Sequence, residues 1–293
     1  MKVGLIGTGR MGGGMARRIL GNGFDLKILR RDSRQTDPLV ALGAHVAKDI
    51  AELCEDCNLI ITMLPSDRIL EEVALGTSGL AKWLAPGAIH MASGTHSAST
   101  IEKLMAAHHS QRQNLVCCPV LGRPDRAAEG KLGLLPAGPP AAIERIMPVL
   151  RVLGETIFRP GENPLSAVAV KIANNFVLGC AIEAMGEGMS LVRKYGVDPI
   201  LFHEVLTKGL FNCIAYQSYG DVIAKEDWGR VGATASIGLK DAKLAIAAAE
   251  KVGVTLPSGI VWHDHLVKAC DRGEGALDWA VMAREQFRSS GLE

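Results

Sequence analysis

Aromatic residues are scarce in this chain: Phe, Trp and Tyr supply 4% of its 293 residues, against 48% hydrophobic overall. The interior therefore has to be filled by Ala, Val, Leu and Ile. An excess of one charge is also lacking. Lys and Arg number 32 and Asp and Glu 31, dispersed for a net +1, so neither nucleic acid nor an anionic membrane surface is expected as a partner. No charged-then-apolar leader precedes the first strand-like segment, which starts directly after Met1, and a cytoplasmic location is expected. The cysteines, seven in all, are an odd number that fits a reducing compartment. Cys54-Glu55-Asp56-Cys57 has CxxC spacing, but the second pair that would complete a zinc site is missing. HExxH is absent as well, and His263-Asp264-His265 alternates on an expected surface helix, where solvation is the plainer reading than ligation. No metal site is expected.

What is present begins at once. Lys2–Ile6 is a short apolar run, followed by Gly7-Thr8-Gly9-Arg10-Met11-Gly12 and a helical stretch over Met15–Leu20. This is G-x-G-x-x-G in the context it requires, between a strand and a helix. Its glycines let backbone approach a pyrophosphate, and the helix N-terminus offers amide donors and a favourable dipole. The second strand, Asp25–Leu29, runs into Arg30-Arg31-Asp32-Ser33-Arg34. An acidic residue at the end of this strand holds the ribose hydroxyls of NAD, whereas arginines there pair the 2′-phosphate of NADP. Arg30, Arg31 and Arg34 favour NADP(H). Asp32 keeps NAD(H) open as a ribose ligand, and a merely solvated turn is the bland alternative.

Strand and helix signals then alternate. His45–Ala47, Asn58–Leu64, Ala88–Ala92 and Asn114–Val120 are strand candidates, followed by Leu132–Ala137, a helix near Ala141–Leu153 and a strand at Glu155–Phe158. Asn58–Leu64 is continuously apolar, as a strand buried on both faces is. Alternation at this length predicts a doubly wound, mostly parallel sheet. The turn Ser93-Gly94-Thr95-His96-Ser97 stands at a strand's carboxyl end, where open α/β sheets bind ligands.

From Asn163 the pattern changes. Asn163-Pro164 opens a helix that Arg193, Lys194 and Gly196 close. Between Pro164 and Glu183 its strongly polar residues are Ser166, Lys171, Asn174 and Asn175. A helix apolar nearly all round is expected to run through the middle of the molecule; a lysine and two asparagines on one face argue against a membrane span. Helices are expected at Asp198–Leu206, Ala235–Val252 and Pro257–Asp271, with no further strand. The glycines Gly179, Gly186 and Gly188 inside the long helix imply close packing, within the chain or on a neighbouring subunit, and a dimer or tetramer is expected. The fold class is therefore α/β: a Rossmann doubly wound domain over residues 1–162, then an all-α domain over 163–293, joined by the long helix.

These residues resemble the β-hydroxyacid dehydrogenases, which include 3-hydroxyisobutyrate dehydrogenase, tartronate semialdehyde reductase and glyoxylate/succinic semialdehyde reductases. The likeness spans essentially the whole chain. It is carried by the glycine fingerprint, Met63-Leu64-Pro65, Ser93-Gly94-Thr95, Pro119-Val120-Leu121-Gly122, Lys171-Ile172-Ala173-Asn174-Asn175 and Lys240-Asp241. The resemblance implies that Met63, Leu64, Pro65, Thr95 and Lys240 meet the cofactor, and that Ser93, Gly94, Thr95, Asn174 and Asn175 meet a small carbonyl or hydroxy substrate. It implies that Lys171 is the general acid/base. Two departures stand out. Where the family's substrate loop typically reads D-A-P-V-S-G-G, this chain reads Cys117-Cys118-Pro119-Val120-Leu121-Gly122-Arg123, so a serine has become Leu121 and a glycine Arg123. The glycines usual before the lysine helix are replaced by Leu165 and Ala167.

Reduction of a carbonyl leaves an alkoxide that needs a proton, and an ammonium beside it both stabilises the charge and donates. Burial would bring the lysine down from its ordinary value of about 10.4 toward the working range. Gly122 and Arg123 are then expected to hold an anionic substrate group beside an apolar wall at Leu121; the alternative is that Arg123 faces solvent or the cofactor. Other readings are an imine reductase, which usually has Asp or Tyr where Lys171 stands, and a catalytically silent NADPH-binding protein.

Overall fold

Apolar runs bounded by turn residues form strands β1 (Lys2–Ile6), β2 (Asp25–Leu29), β3 (His45–Ala47), β4 (Leu59–Thr62), β5 (Ile89–Ala92) and β6 (Asn114–Cys117). The computed structural model describes residues 1–30 and 32–293; the candidate cofactor residue Arg31 lies outside the described residues. The six strands pair in parallel in the order β3-β2-β1-β4-β5-β6. Strand order reverses between β1 and β4, and a crevice opens beyond the carboxyl ends of strands at such a reversal. Both β4 and β5 are buried along their whole length, as strands covered on two faces are. The helix Arg10–Gly21 buries Met15 and Ile19 in the same aliphatic core as Val3, Leu5, Leu26 and Ile28.

Asn114–Val120 is not one strand. It ends at Cys117, after which the Cys118 amide makes a last bond to the Ala92 carbonyl at 2.8 Å and Pro119 turns the chain away. The chain continues into a separate sheet of β7 (Val120–Leu121), β8 (Leu132–Leu134) and β9 (Gly154–Ile157), with β7–β8 antiparallel and β8–β9 parallel.

A polar chain runs through the apolar core of the large sheet. Gln113 Nε2 donates to the carbonyl of Ala81 at 3.1 Å and to that of Leu84. Its Oε1 must then accept from His108 Nδ1 at 2.6 Å. His108 Nε2 is left to accept from His90 Nδ1 at 2.8 Å, and His90 Nε2 to accept from Thr62 Oγ1 at 2.9 Å. Both rings are thus fixed as neutral tautomers. Burial pushes His90 well below its ordinary value and lowers His108, the latter partly opposed by the Gln113 bond.

Packing divides the chain into two units, Met1–Lys171 and Ile172–Glu293, a boundary inside the helix Pro164–Lys194 where the division read from sequence precedes it. The second unit is helical throughout: the remainder of that helix, then Pro199–Lys208, Ile214–Ala224, Ala235–Lys251, Pro257–Asp271 and Met282–Ser289, with a short 3₁₀ turn at Trp279–Val281. The glycines of the long helix are explained within the chain. A Cβ on Gly179 would lie 2.3 Å from the Trp262 ring, one on Gly186 2.7 Å from Ala283, and one on Gly188 3.1 Å from Phe202. Mid-helix glycine costs roughly 1 kcal/mol against alanine, which this close approach offsets.

The long helix is not a central rod, contrary to its composition. Val177 and Leu191 are 64% and 61% exposed, and only 33% of its most apolar window is buried. By length and composition alone it could cross a membrane, as the core helix of a folded unit also could. Composition sets how apolar a helix is, not how many neighbours one chain supplies. The helix Pro199–Lys208 has no buried residue, and Leu201, Val205, Leu210, Phe211 and Ile214 are exposed near it in sequence. The pair His263 and His265 divides. His263 meets Asp264 at the surface, but His265 is mostly buried and lies 2.8 Å from Glu183, which raises its pKa.

The buried histidine chain makes the first unit acid-sensitive. With native pKa values depressed, the unfolded chain binds protons first, so this stabilisation is present above about pH 6.5 and is lost as pH falls toward the lowered native values. Thermal unfolding followed from about pH 7.5 to about 5.5, one unit either side of that midpoint, should show a steeper loss of Tm in the parent than in His90→Gln, which cannot titrate. Parallel slopes would remove the histidine chain from the acid response.

Candidate active site

Two glycines of the fingerprint are demanded by the chain itself. Gly7 has φ +100°, and a Cβ on it would lie 2.3 Å from the carbonyl oxygen of Met63. A Cβ on Gly12 would lie 1.8 Å from the Gly7 carbonyl oxygen. Gly9 is different: a Cβ there would meet nothing within 4 Å. It is exposed and caps the helix Arg10–Gly21 without any side-chain bond, so the first amides of that helix face open space. A bare helix N-terminus with a backbone that no side chain shields is the cradle a pyrophosphate needs. Thr8 is buried, Arg10 exposed and Met11 half-buried. Met63, Leu64 and Pro65 leave the adjacent β4, and the Met63 amide donates to the Ile6 carbonyl at 2.9 Å. These residues therefore fit a dinucleotide across the β1/β4 crevice.

At the end of β2 the acidic residue is already engaged. Asp32 caps the helix Ser33–Val40 through the Arg34 amide at 3.0 Å and pairs with the Arg34 guanidinium at 3.0 Å. The hydrogen bonds from Arg34 hold its carboxyl below the usual range. Arg30 pairs with Asp37 at 2.5 Å and is exposed.

A shallow, partly open concavity lies at the carboxyl ends of β5 and β6. Of the expected substrate residues it brings together Gly94, Thr95 and Lys171, with Ile101, Val168 and Cys117 as apolar wall. Lys171 is half-buried rather than fully enclosed. Burial pushes the Cys117 thiol far up, keeping it neutral. His96 lines the same space. Its Nδ1 is 3.0 Å from Asp67 Oδ1, at the start of the helix Asp67–Leu75, and its Nε2 is buried without a partner. Although burial raises the Asp67 carboxyl, the bonds from His96 and Ser97 bring it down to about 2. The turn at 93–97 was legible as a site, but the Asp67 partner was not, being 29 residues away.

Ser93 does not line this cleft. It is 2% exposed, its Oγ has no hydrogen-bond partner, and its amide donates to Thr62 at 2.9 Å. Nor do Leu121, Gly122 and Arg123. Leu121 packs on Gly133 across β7–β8, Gly122 turns with φ +137°, and half-buried Arg123 precedes the helix Pro124–Glu129 as its N-cap. Cys54 and Cys57 are both buried, which pushes their thiols up to about 12 and about 11; they behave as small core residues, not as reactive thiolates.

In the second unit Asn175 is buried and donates to Asp241 Oδ2 at 2.8 Å. Lys240 Nζ lies 3.0 Å from the other Asp241 oxygen, a close ion pair without hydrogen-bond alignment. Asn174 is exposed and reaches the Asn175 amide oxygen at 3.4 Å. Asp241 thus gathers two of the sequence-predicted residues, Asn175 and Lys240.

Known families match both halves of the chain. Residues 2–161 match the NAD-binding domain of 6-phosphogluconate dehydrogenase, and residues 166–285 the NAD-binding family of NADP-dependent 3-hydroxyisobutyrate dehydrogenase. The chain belongs to the β-hydroxyacid dehydrogenase family. It is 37% identical to the uncharacterized oxidoreductase YfjR of Bacillus subtilis, over 97% of this chain and 99% of that one. It is 30% identical to the 3-hydroxyisobutyrate dehydrogenase of Pseudomonas aeruginosa, over 88% of each. The 3-hydroxyisobutyrate dehydrogenase structure from Salmonella typhimurium superimposes with a TM-score of 0.87 at 24% identity, covering 97% of this chain and 99% of that one. An imine reductase from Pseudomonas sp. is more distant, at TM-score 0.60 and 19% identity over 97% and 98%. As a member of this family the protein is an NAD(P)-dependent dehydrogenase with a Rossmann domain and a helical domain.

The open space at Gly9 yields a test that separates ligand from fold. Gly9→Ala should change the stability of the cofactor-free protein by less than about 1 kcal/mol, while weakening NADPH binding by roughly tenfold or more, equivalent to ~1.4 kcal/mol. Calorimetric titration and a thermal melt read the two effects separately. Unchanged affinity would mean that the cofactor backbone does not approach Gly9.

Proposed function

We propose that this dehydrogenase interconverts a small hydroxy acid and its aldehyde or keto form, with Lys171 as general acid/base and NADP(H) preferred. The observation that carries the reading is the half-buried Lys171 at the wall of a small, largely apolar cleft, beside Gly94 and Thr95. The narrow, mostly apolar lining of this cleft suits a substrate of a few carbons. The dihydronicotinamide, when bound, supplies the hydride. The chain's own part is to hold the carbonyl oxygen against the lysine ammonium, which stabilises the developing alkoxide and then protonates it. In the oxidative direction the neutral lysine accepts the hydroxyl proton. Asn175 stands one helical turn along from Lys171 in sequence, its amide held by Asp241, and is proposed as a ligand for a substrate hydroxyl.

For the cofactor's ribose end, Asp32 is engaged by its cap and its Arg34 pair, as Arg30 is by Asp37; the proposal of a 2′-phosphate rests on the guanidinium charge of Arg30, Arg31 and Arg34 together. Gly122 and Arg123 do not line this cleft, and they are proposed to hold an anionic group only of a substrate that extends beyond it. The exposed apolar side chains of the helix Pro199–Lys208 and of Leu210 and Ile214 support a homo-oligomer.

Replacement of Lys171 by Met should leave NADPH binding intact and reduce turnover at least ~100-fold, the lower range for general acid catalysis. A carbonyl panel of glyoxylate, semialdehydes, hydroxypyruvate and simple aldehydes, followed by NADPH absorbance, measures it; near-parental turnover would take the lysine out of the mechanism.

Cofactor preference has its own measure. NADPH should bind more tightly than NADH in the parent, and Arg31→Ala should erase most of the difference. Equal dissociation constants in the parent would return the ribose to Asp32 or to neither group.

A further inference from the structure

The cleft beside Lys171 contains a polar group that the reduction described above leaves unused. His96 is 3% exposed and is fixed at its Nδ1 by Asp67 Oδ1 at 3.0 Å. Asp67 also accepts from the Ser97 amide, at 3.1 and 3.3 Å to its two oxygens, so it is held between two donors. An ionised carboxylate can only accept, so Nδ1 carries a proton, and in the neutral ring it carries the only one. That leaves Nε2 as a bare acceptor. It is buried, it has no hydrogen-bond partner, and it lies against the α-carbon of Gly94, where an added Cβ would be 2.3 Å from it. His96 and Gly94 line the cleft that Lys171 also lines, and the neighbouring wall at Ile101, Val168 and Cys117 offers nothing ionised. Buried polar atoms are almost always paired, and one left open at a site marks a place for a ligand group.

The polarity of that atom selects the ligand. A carboxylate brings a second acceptor to an acceptor and gains nothing. A hydroxyl brings the missing proton. We propose that His96 Nε2 accepts a hydrogen bond from a hydroxyl that the substrate carries beside its reacting carbonyl, so that His96 sets specificity for hydroxylated carbonyls and Asp67 positions it. This rests on the reductase reading for the identity of the reacting group. A site built to pair a substrate hydroxyl discriminates strongly against the analogue lacking it, because its own polar atom is then left unpaired. Asp67 matters through the tautomer. In Asp67→Asn an amide N–H can face Nδ1, which moves the ring proton to Nε2 and turns the acceptor into a donor.

The test uses matched carbonyls with NADPH: hydroxypyruvate against pyruvate, and glycolaldehyde against acetaldehyde and methoxyacetaldehyde. The parent should favour each hydroxylated member by at least ~10-fold in kcat/KM. His96→Leu should bring those ratios close to one. Asp67→Asn should instead bring glycolaldehyde and methoxyacetaldehyde close to parity with both still ahead of acetaldehyde, since hydroxyl and ether oxygens alike accept from an Nε2–H; a merely structural loss would lower all three alike. Nitrogen NMR of the histidine rings gives a readout independent of turnover and of the variants. In the parent, His96 Nε2 should carry no proton and should shift when glycerate, but not lactate, is added with NADP⁺. Ratios near one in the parent, a proton already on Nε2, or equal responses to glycerate and lactate would each overturn the proposal. Failure of every carbonyl to react would overturn the reductase reading instead, with the NMR response still deciding His96.

Discussion

The carbonyl oxygen of Gly7 and the α-carbon of Gly12 approach so closely that no side chain fits between them; a Cβ would lie at 1.8 Å. That contact seats the helix Arg10–Gly21 directly on the end of β1, and it places the helix N-terminus beside Met63 at the end of β4. The rest of the first unit is arranged around it. Because β1 and β4 are neighbours while their chain connections diverge to opposite edges of the sheet, the crevice for a dinucleotide is a property of topology before any side chain is considered. Side chains then add what topology cannot: a guanidinium-rich turn after β2 and, after β5, a turn that meets Lys171 across a small cleft.

Much of this was legible because it is local. The bounds of β1, β2 and β3 follow from apolar runs closed by glycine, charge or turn residues, and the helix Pro257–Asp271 from its first-turn proline. The segments of β8 and β9 are readable, at Leu132–Ala137 and Glu155–Phe158, but their pairing with β7 in a separate sheet is not, since a strand of two residues carries no periodicity long enough to read. The helix Ile214–Ala224 also escaped: its Cys213 cap makes no side-chain bond, so it lacks the usual start signal.

The site divides along the same line. The glycine fingerprint, the turn after β5 and Lys171 are sequence-local, and each can be read from its own few residues. The residues that hold them are not. Asp67 reaches His96 across 29 positions and Asp241 reaches Asn175 across 66, and single-sequence reading has no access to such pairs. The CxxC spacing illustrates the converse: a pattern that suggests chemistry is resolved by burial, which holds both thiols protonated.

The buried run from Thr62 through His90 and His108 to Gln113 has a direction, imposed by the two carbonyls that Gln113 must satisfy. Imidazoles in file usually invite comparison with a proton wire. Here the terminal amide can neither release a proton onward nor accept one from His108, so a hop entering at Thr62 has no exit. The run insulates rather than conducts: it ties β4, β5 and the helix Ala98–Ser110 together while keeping the sheet interior electrically quiet beside a site whose chemistry moves protons.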